Sequence, residues 1–165
     1  MSRLLATCFG LGLLRPAPGT WASAVAVLLG LVILRYLGFP VLAAATLAVT
    51  LAGFWACRTV LAGRPGEDPS EIVIDEVAGQ WLALLFPAAA FWGRGWQDWM
   101  PYPGWMAAFV FFRLFDIWKP GVIGKADRRT DADGVMLDDL LAGLFAGIAT
   151  VIAAGLAHGL LWLRG

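Results

Sequence analysis

Five long stretches of the chain contain no charged residue, and short polar segments separate them. They are residues 16–34, 36–57, 77–93, 99–112 and 140–163. A helix that crosses a bilayer needs about 20 mostly apolar residues. Three stretches reach that length, 77–93 is borderline, and 99–112 reaches it only when extended through Trp118. The pattern predicts an all-α, polytopic membrane helix bundle with about five spanning helices.

The composition also indicates a membrane protein. Of the 165 residues, 60% are hydrophobic and 15% are charged, whereas a soluble domain carries roughly 25% charged residues. No long polar linker interrupts the chain, so we predict one integral-membrane domain over residues 1–165. The first residues, MSRLLATCFGLGLLRP, have a basic start but no signal-peptide cleavage site. We expect a short interfacial or re-entrant helix there, the bilayer as a partner, and no nucleic acid; the oligomeric state is not indicated.

The charges are distributed unevenly about these stretches. With the N-terminus in the cytoplasm, only three of the 12 basic residues fall outside: Arg35, Arg94 and Arg164. This bias is typical of inner-membrane proteins and predicts the orientation. Among the acidic residues only Asp98 falls outside. Because acidic residues contribute little to topology, their segregation indicates chemistry at the cytoplasmic face.

Two acidic pairs stand before apolar stretches: Asp75-Glu76 before 77–93, and Asp138-Asp139 before 140–163. Asp68 is a suitable N-cap for a helix with Pro69 in its first position and Glu71 in its third. A helix that began there would place Asp75 and Glu76 in its second turn, beyond the needs of capping. Carboxylates carried toward a membrane usually have a cation or a functional role.

A small residue follows each pair by one turn, namely Gly79 in the first case and Ala142-Gly143 in the second. Small residues allow membrane helices to approach closely, so the two pairs are expected to face one another. Such oxygen ligands suit Mg²⁺. Neighbouring helix positions are about 100° apart, so one member of a pair could instead serve as a base.

Two further segments are candidates for phosphate binding. Arg113, Asp116 and Lys119 lie three residues apart on one helix face. They form either an internal ion-pair ladder or a site in which the two cations bind phosphate and Asp116 is a metal ligand, base or nucleophile. In RPAPGTWAS, Thr20 or Ser23 could cap the first spanning helix, whose N-terminus would attract an anion.

Four motifs in this order resemble phosphatidylglycerophosphatase A of bacteria: APGTWAS, DPSEIVIDEVAGQWLAL, FRLFDIWKPGVI and GVMLDDLLAG. The resemblance runs from about Gly10 to Gly155. It implies a Mg²⁺-dependent inner-membrane enzyme that hydrolyses the terminal phosphate of phosphatidylglycerophosphate. Its acidic positions correspond to Asp75, Glu76, Asp116, Asp138 and Asp139, and its basic positions to Arg113 and Lys119. Ala22 and the segment GVIGKADRRT depart from its common pattern, but neither includes a proposed ligand.

We therefore assign roles as expectations. The metal ligands are Asp75, Glu76, Asp138 and Asp139; the catalytic residues are Asp75, Asp116 and Asp138; the phosphate-binding residues are Thr20, Arg113 and Lys119. Attack by metal-activated water is favoured over a covalent aspartyl-phosphate, and both remain open. An ion-coupled transporter is the main alternative function, since such proteins also carry intramembrane carboxylates, although usually near the bilayer midplane. A phosphatidyltransferase or a structural subunit fits the motifs less well.

Overall fold

A computed structural model describes residues 1–62, 69–95, 99–129 and 131–162, with side chains through His158. Within these ranges all regular secondary structure is helical, which confirms the predicted all-α class. The elements are α1 Ser2–Ala6, a 3₁₀ turn Leu11–Leu13, α2 Pro18–Tyr36, α3 Phe39–Val60, α4 Ile74–Trp92, α5 Gly104–Trp118, α6 Val122–Asp127 and α7 Ala132–Trp162.

Among the described residues, three helices are long and apolar enough to cross a membrane: α2, α3 and residues Ala132–His158 of α7. Only 39%, 22% and 28% of their most apolar segments is buried inside the protein. Apolar surface of this extent is stable in contact with lipid. The predicted count of about five spans is not confirmed, because α5 has only 15 residues and α4 carries Asp75, Glu76 and Gln80 within its first two turns.

Helix α4 is the centre of the bundle and packs against α2, α3, α5 and α7. It approaches α7 most closely where two glycines face each other. A Cβ atom added to Gly143 would lie 2.2 Å from the carbonyl oxygen of Gly79, and one added to Gly79 would lie 2.5 Å from the carbonyl oxygen of Asp139. The predicted close packing below the two acidic pairs is therefore confirmed, since no side chain fits between these backbones.

The start of α4 differs from the prediction. The helix begins at Ile74, so Asp75 and Glu76 lie in its first turn rather than its second. Glu71 precedes the helix and accepts hydrogen bonds from Arg3 instead of completing a capping box. Asp68, the predicted N-cap, lies outside the described residues. The residues just before α4 form a turn, in which Ile72 donates its backbone N–H to the carbonyl oxygen of Pro69 at 2.9 Å. Val73 donates its backbone N–H to the carbonyl oxygen of Ala6 at 2.9 Å.

The N-terminal residues form a short helix, as predicted, followed by the 3₁₀ turn. Helix α1 packs against α3, and Ala6 is fully buried there. Gly12 touches the chain just before α4, since a Cβ atom on it would lie 2.0 Å from the carbonyl oxygen of Glu71. The N-terminal segment is thus fixed beside the first turn of α4.

Candidate metal and phosphate site

Three carboxylates from two helices meet where the first turn of α4 lies beside Asp139, which is two turns into α7. Asp75, Glu76 and Asp139 each direct a carboxylate oxygen into one cluster, in which these oxygens lie within 4.8 Å of one another. Asp75 is 7% exposed and Asp139 is 4% exposed. Buried like charges this close together are unfavourable without a compensating cation. The donor set of hard oxygens therefore fits a divalent cation such as Mg²⁺.

The carboxylate of Asp138, which is next to Asp139 in the chain, is not part of this cluster. One of its oxygens accepts a hydrogen bond from the ammonium of Lys119 at 2.6 Å. The other, Oδ1, is buried without a hydrogen-bond partner among the described residues. Asp138 thus lies beside the cluster with one oxygen available to a ligand.

Lys119 follows the end of α5 with a positive φ of 48°, which directs its side chain back toward α7. Its ammonium also donates to Asp127, at 2.5 Å. Burial by itself would lower the pKa of this ammonium, but the hydrogen bonds to Asp127 and Asp138 raise it above its ordinary value. Lys119 therefore remains a cation at any physiological pH.

Arg113 holds two other carboxylates in place. Its Nη1 lies 2.6 Å from Asp116 and 3.8 Å from Glu76, and it donates a long hydrogen bond of 3.5 Å to Ser23 Oγ on α2. Its Nε is buried without a hydrogen-bond partner among the described residues. Arg113 and Asp116 thus form the predicted ion pair within α5, whereas Lys119 pairs with other helices.

A cavity of about 160 Å³ opens onto these groups. The polar residues that line it are Ser70, Asp75, Glu76, Asp116, Lys119, Asp138 and Asp139. The first turn of α2 forms another wall, where Gly19 packs so closely on Glu76 that an added Cβ atom would lie 1.7 Å from Oε1. A larger cavity of about 380 Å³ at the opposite end of the bundle has no acidic residue among the described residues of its lining. Of these two cavities, the smaller one combines several carboxylates with the ammonium of Lys119.

The comparisons with known proteins agree with this geometry. The model of the phosphatidylglycerophosphatase A family matches residues 4–154. The chain belongs to this family. It is therefore a phosphatase, and the end of the bundle that carries the acidic cluster is its candidate active site.

Curated relatives cover most of the chain. Phosphatidylglycerophosphatase A of Haemophilus influenzae is 38% identical over 146 residues, which are 88% of this chain and 83% of that protein. The Escherichia coli protein of the same name is 32% identical over 94% of this chain and 80% of its own length. A putative phosphatidylinositol-3-phosphatase of Bacteroides thetaiotaomicron is 37% identical over 91% of both. No solved structure gives a significant match.

The structure brings most of the predicted site residues together. Six of them line the cavity: Asp75, Glu76, Asp116, Lys119, Asp138 and Asp139. Arg113 contacts Asp116 and Glu76 from outside the lining, and Thr20 does not line the cavity. The predicted cap was wrong as well, since α2 has no side-chain cap and Ser23 Oγ donates to the carbonyl oxygen of Gly19. The roles of all these residues, Thr20 included, remain predictions.

Sequence reasoning missed three contributors. Gly19 is the residue that allows α2 to contact Glu76, and Asp127 shares the ammonium of Lys119. Gln80, one turn beyond Glu76, is fully buried, and both polar atoms of its amide lack a hydrogen-bond partner among the described residues. The signal for Gln80 was available, since it is a polar residue within the apolar run VAGQWLALL.

The cluster also affects a cysteine of the N-terminal segment. Burial raises the pKa of the Cys8 thiol to about 12, and the charges of Asp75 and Glu76 add to the effect. Cys8 is therefore a thiol rather than a thiolate at neutral pH, which makes it a poor nucleophile. Its proximity makes it a reporter of the charge on the α4 pair.

Proposed function

We propose that this enzyme hydrolyses the terminal phosphate of phosphatidylglycerophosphate, giving phosphatidylglycerol and inorganic phosphate, with Mg²⁺ as cofactor. The observation that carries the proposal is the cluster of Asp75, Glu76 and Asp139 in the same small cavity as Lys119. Carboxylates suit a metal ion, and the half-buried ammonium of Lys119 suits a phosphate oxygen. Both the family and the relatives named for this substrate support the assignment.

We propose a location at the cytoplasmic face of the bacterial inner membrane, with a multi-pass topology. The apolar surfaces of α2, α3 and α7 support insertion, and the excess of basic residues near the site end supports the orientation. A lipid substrate in the inner leaflet would then present its headgroup at the level of the cavity. Because the described carboxylates gather at one end of the bundle rather than at mid-depth, we favour this reading over an ion-coupled transporter.

The residues divide the chemistry among them. A bound Mg²⁺ would neutralise charge on the phosphoryl oxygens and favour attack by water. Lys119 would hold a phosphoryl oxygen as charge develops on it. Asp116, oriented by Arg113 at 2.6 Å, would accept the proton of the attacking water. The water oxygen would form a bond to phosphorus as the bond between phosphorus and the glycerol oxygen breaks, and the leaving oxygen would take up the proton that Asp116 accepted.

The decisive test is release of inorganic phosphate by the purified protein in detergent, first with Mg²⁺ and then with EDTA. We expect release from phosphatidylglycerophosphate only with the metal, restored when Mg²⁺ is added back. Phosphatidylinositol 3-phosphate should be assayed in parallel, because one relative is named for that lipid. Faster turnover of the inositol lipid would change the substrate assignment, full activity in EDTA would reject the metal, and no release from either lipid would reject the proposed function.

A further inference from the structure

A second cavity adjoins the candidate metal site. It has a volume of about 380 Å³ and lies between the N-terminal segment and the turn before α4. Pro18, Pro69 and Ser70 line both cavities, which are therefore neighbours. None of the residues assigned to catalysis or metal binding lines this second cavity.

Its charge favours an anion. Among the described residues, the charged ones that line it are Arg15 and Glu71. The carboxylate of Glu71 is already balanced, since Arg3 Nη2 lies 3.0 Å from one of its oxygens and 3.3 Å from the other. Arg15 is exposed and makes no side-chain hydrogen bond or ion pair with the part of the chain that the structure describes. Its guanidinium is therefore available to bind an oxyanion by two parallel hydrogen bonds.

The position of Arg15 relative to the metal site is fixed by the backbone. The 3₁₀ turn Leu11–Leu13 comes just before it, and Gly12 of this turn is packed against the carbonyl oxygen of Glu71. On the other side, Pro18 starts α2, whose first turn touches Glu76. Arg15 thus lies between one segment that packs on the chain just before α4 and another whose first turn contacts Glu76 of the carboxylate cluster.

The surroundings of this cavity also suit a lipid. Leu13 lines it and is 62% exposed, and Leu14 and Phe9 nearby in the chain are 47% and 80% exposed. Exposed apolar side chains at the end of a membrane bundle are stable in the interfacial region of the bilayer. A bilayer in contact with Leu13 and Leu14 would lie close to Arg15, which follows them in the chain.

We propose that Arg15 binds the phosphodiester of the lipid substrate while the terminal phosphate monoester occupies the metal cavity. The inference rests on the proposed function, in which the substrate carries these two phosphates separated by a glycerol unit. The adjacent cavities would bind the phosphodiester and the phosphate monoester at the same time, so that the enzyme distinguishes a phosphatidyl headgroup from a simple phosphate monoester. Arg15 is a specificity-determining residue that takes no part in bond cleavage.

The kinetic test compares the wild type with Arg15→Gln on phosphatidylglycerophosphate in detergent micelles. We expect the KM to rise about 10-fold, as for loss of a charge-assisted hydrogen bond, with kcat within about twofold of wild type. Arg15→Lys should recover part of the affinity, because it keeps the charge but loses the paired hydrogen bonds. Arg94→Gln is the matched control, since this exposed arginine follows α4 at the opposite end; it should have no effect. An unchanged KM in Arg15→Gln overturns the proposal.

A binding test separates this inference from the proposed function. Glycerophosphoglycerol contains the phosphodiester but neither the terminal phosphate nor acyl chains, and it needs no turnover to be detected. We expect it to raise the Tm of the wild type but not of Arg15→Gln, whereas inorganic phosphate with Mg²⁺ should raise both. Equal stabilisation of both proteins by glycerophosphoglycerol, or none in the wild type, overturns the diester site. A wild type that binds this probe but releases no phosphate from the lipid instead contradicts only the hydrolytic function.

Discussion

The two acidic pairs are similar in the sequence but different in the structure. Asp75 and Glu76 at the start of α4 both contribute to the carboxylate cluster. On α7 only Asp139 does so, because Asp138 is hydrogen-bonded to Lys119. Adjacent helix positions are about 100° apart. The side chain of Glu76 is long enough to reach the cluster from the position next to Asp75, whereas the shorter side chain of Asp138 does not reach it from the position next to Asp139. The α4 pair thus supplies two candidate ligands, whereas the α7 pair supplies one candidate ligand and one hydrogen-bond acceptor for Lys119.

The largest effect is expected from Asp139→Asn, which removes the contribution of α7 to the cluster. Activity should fall by more than about 100-fold, since even residues that merely support metal ligands cost 10- to 100-fold when changed. In EDTA the variant should have a higher Tm than the wild type, because repulsion among buried carboxylates is relieved. Mg²⁺ should no longer raise that Tm. A wild-type response to Mg²⁺ would remove Asp139 from the metal site.

Asp138→Asn, the adjacent substitution of the same kind, should have a smaller and different effect. Lys119 keeps Asp127 as a partner but loses the carboxylate that draws it to α7, so we expect activity to fall about 10-fold, as for a supporting residue. The Mg²⁺ concentration for half-maximal activity should stay near that of the wild type. The measurement is a Mg²⁺ titration of phosphate release for both variants. If both variants needed equally more Mg²⁺ for half-maximal activity, the proposed difference between Asp138 and Asp139 would be wrong.

The sequence was sufficient to predict the helical class, the acidic cluster and the glycine contact beneath it. These follow from local patterns: apolar runs, paired carboxylates and a small residue one turn later. Other features depend on contacts between distant segments. The backbone hydrogen bond from Val73 to Ala6 joins the residue before α4 to the N-terminal segment, and no capping pattern reveals such a contact.

The pairing of Lys119 with Asp127 and Asp138 could not be predicted from the sequence either. Its regular spacing from Arg113 and Asp116 predicted a shared helix face, but α5 ends at Trp118 and Lys119 adopts a left-handed conformation. This change of direction carries the ammonium to Asp127 and Asp138. The end of α5 at Trp118 therefore determines that Lys119 pairs with Asp138 of α7.

The close approach of α4 and α7 brings the two pairs together, and it can be tested by enlarging a glycine. Gly143→Ala places a methyl group against the backbone of Gly79, so we expect a loss of about 1–3 kcal/mol of stability, as for overpacking. Gly155→Ala is the matched control in the same helix, because no atom lies within 4 Å of its added Cβ. Thermal unfolding in detergent measures both. Equal Tm values for the two variants would show that the helices can separate at no cost.

The smallest effect is expected at Cys8. The charges of Asp75 and Glu76 contribute to the raised pKa of its thiol, whereas those of the α7 pair are not among the causes. Its pKa of about 12 is due first to burial and then to Asp75 and Glu76, so removing one of these charges should lower the pKa. Because alkylation requires the thiolate, Asp75→Asn should accelerate the reaction of Cys8 with iodoacetamide by about 2- to 5-fold, equivalent to a few tenths of a pKa unit. Cys57 is fully buried and should contribute little to the signal. Asp138→Asn, whose carboxylate is not among the causes of the shift, should leave the rate unchanged. The same acceleration in both variants would mean that the charges of both acidic pairs raise the pKa of the Cys8 thiol to the same extent, which would contradict the prediction.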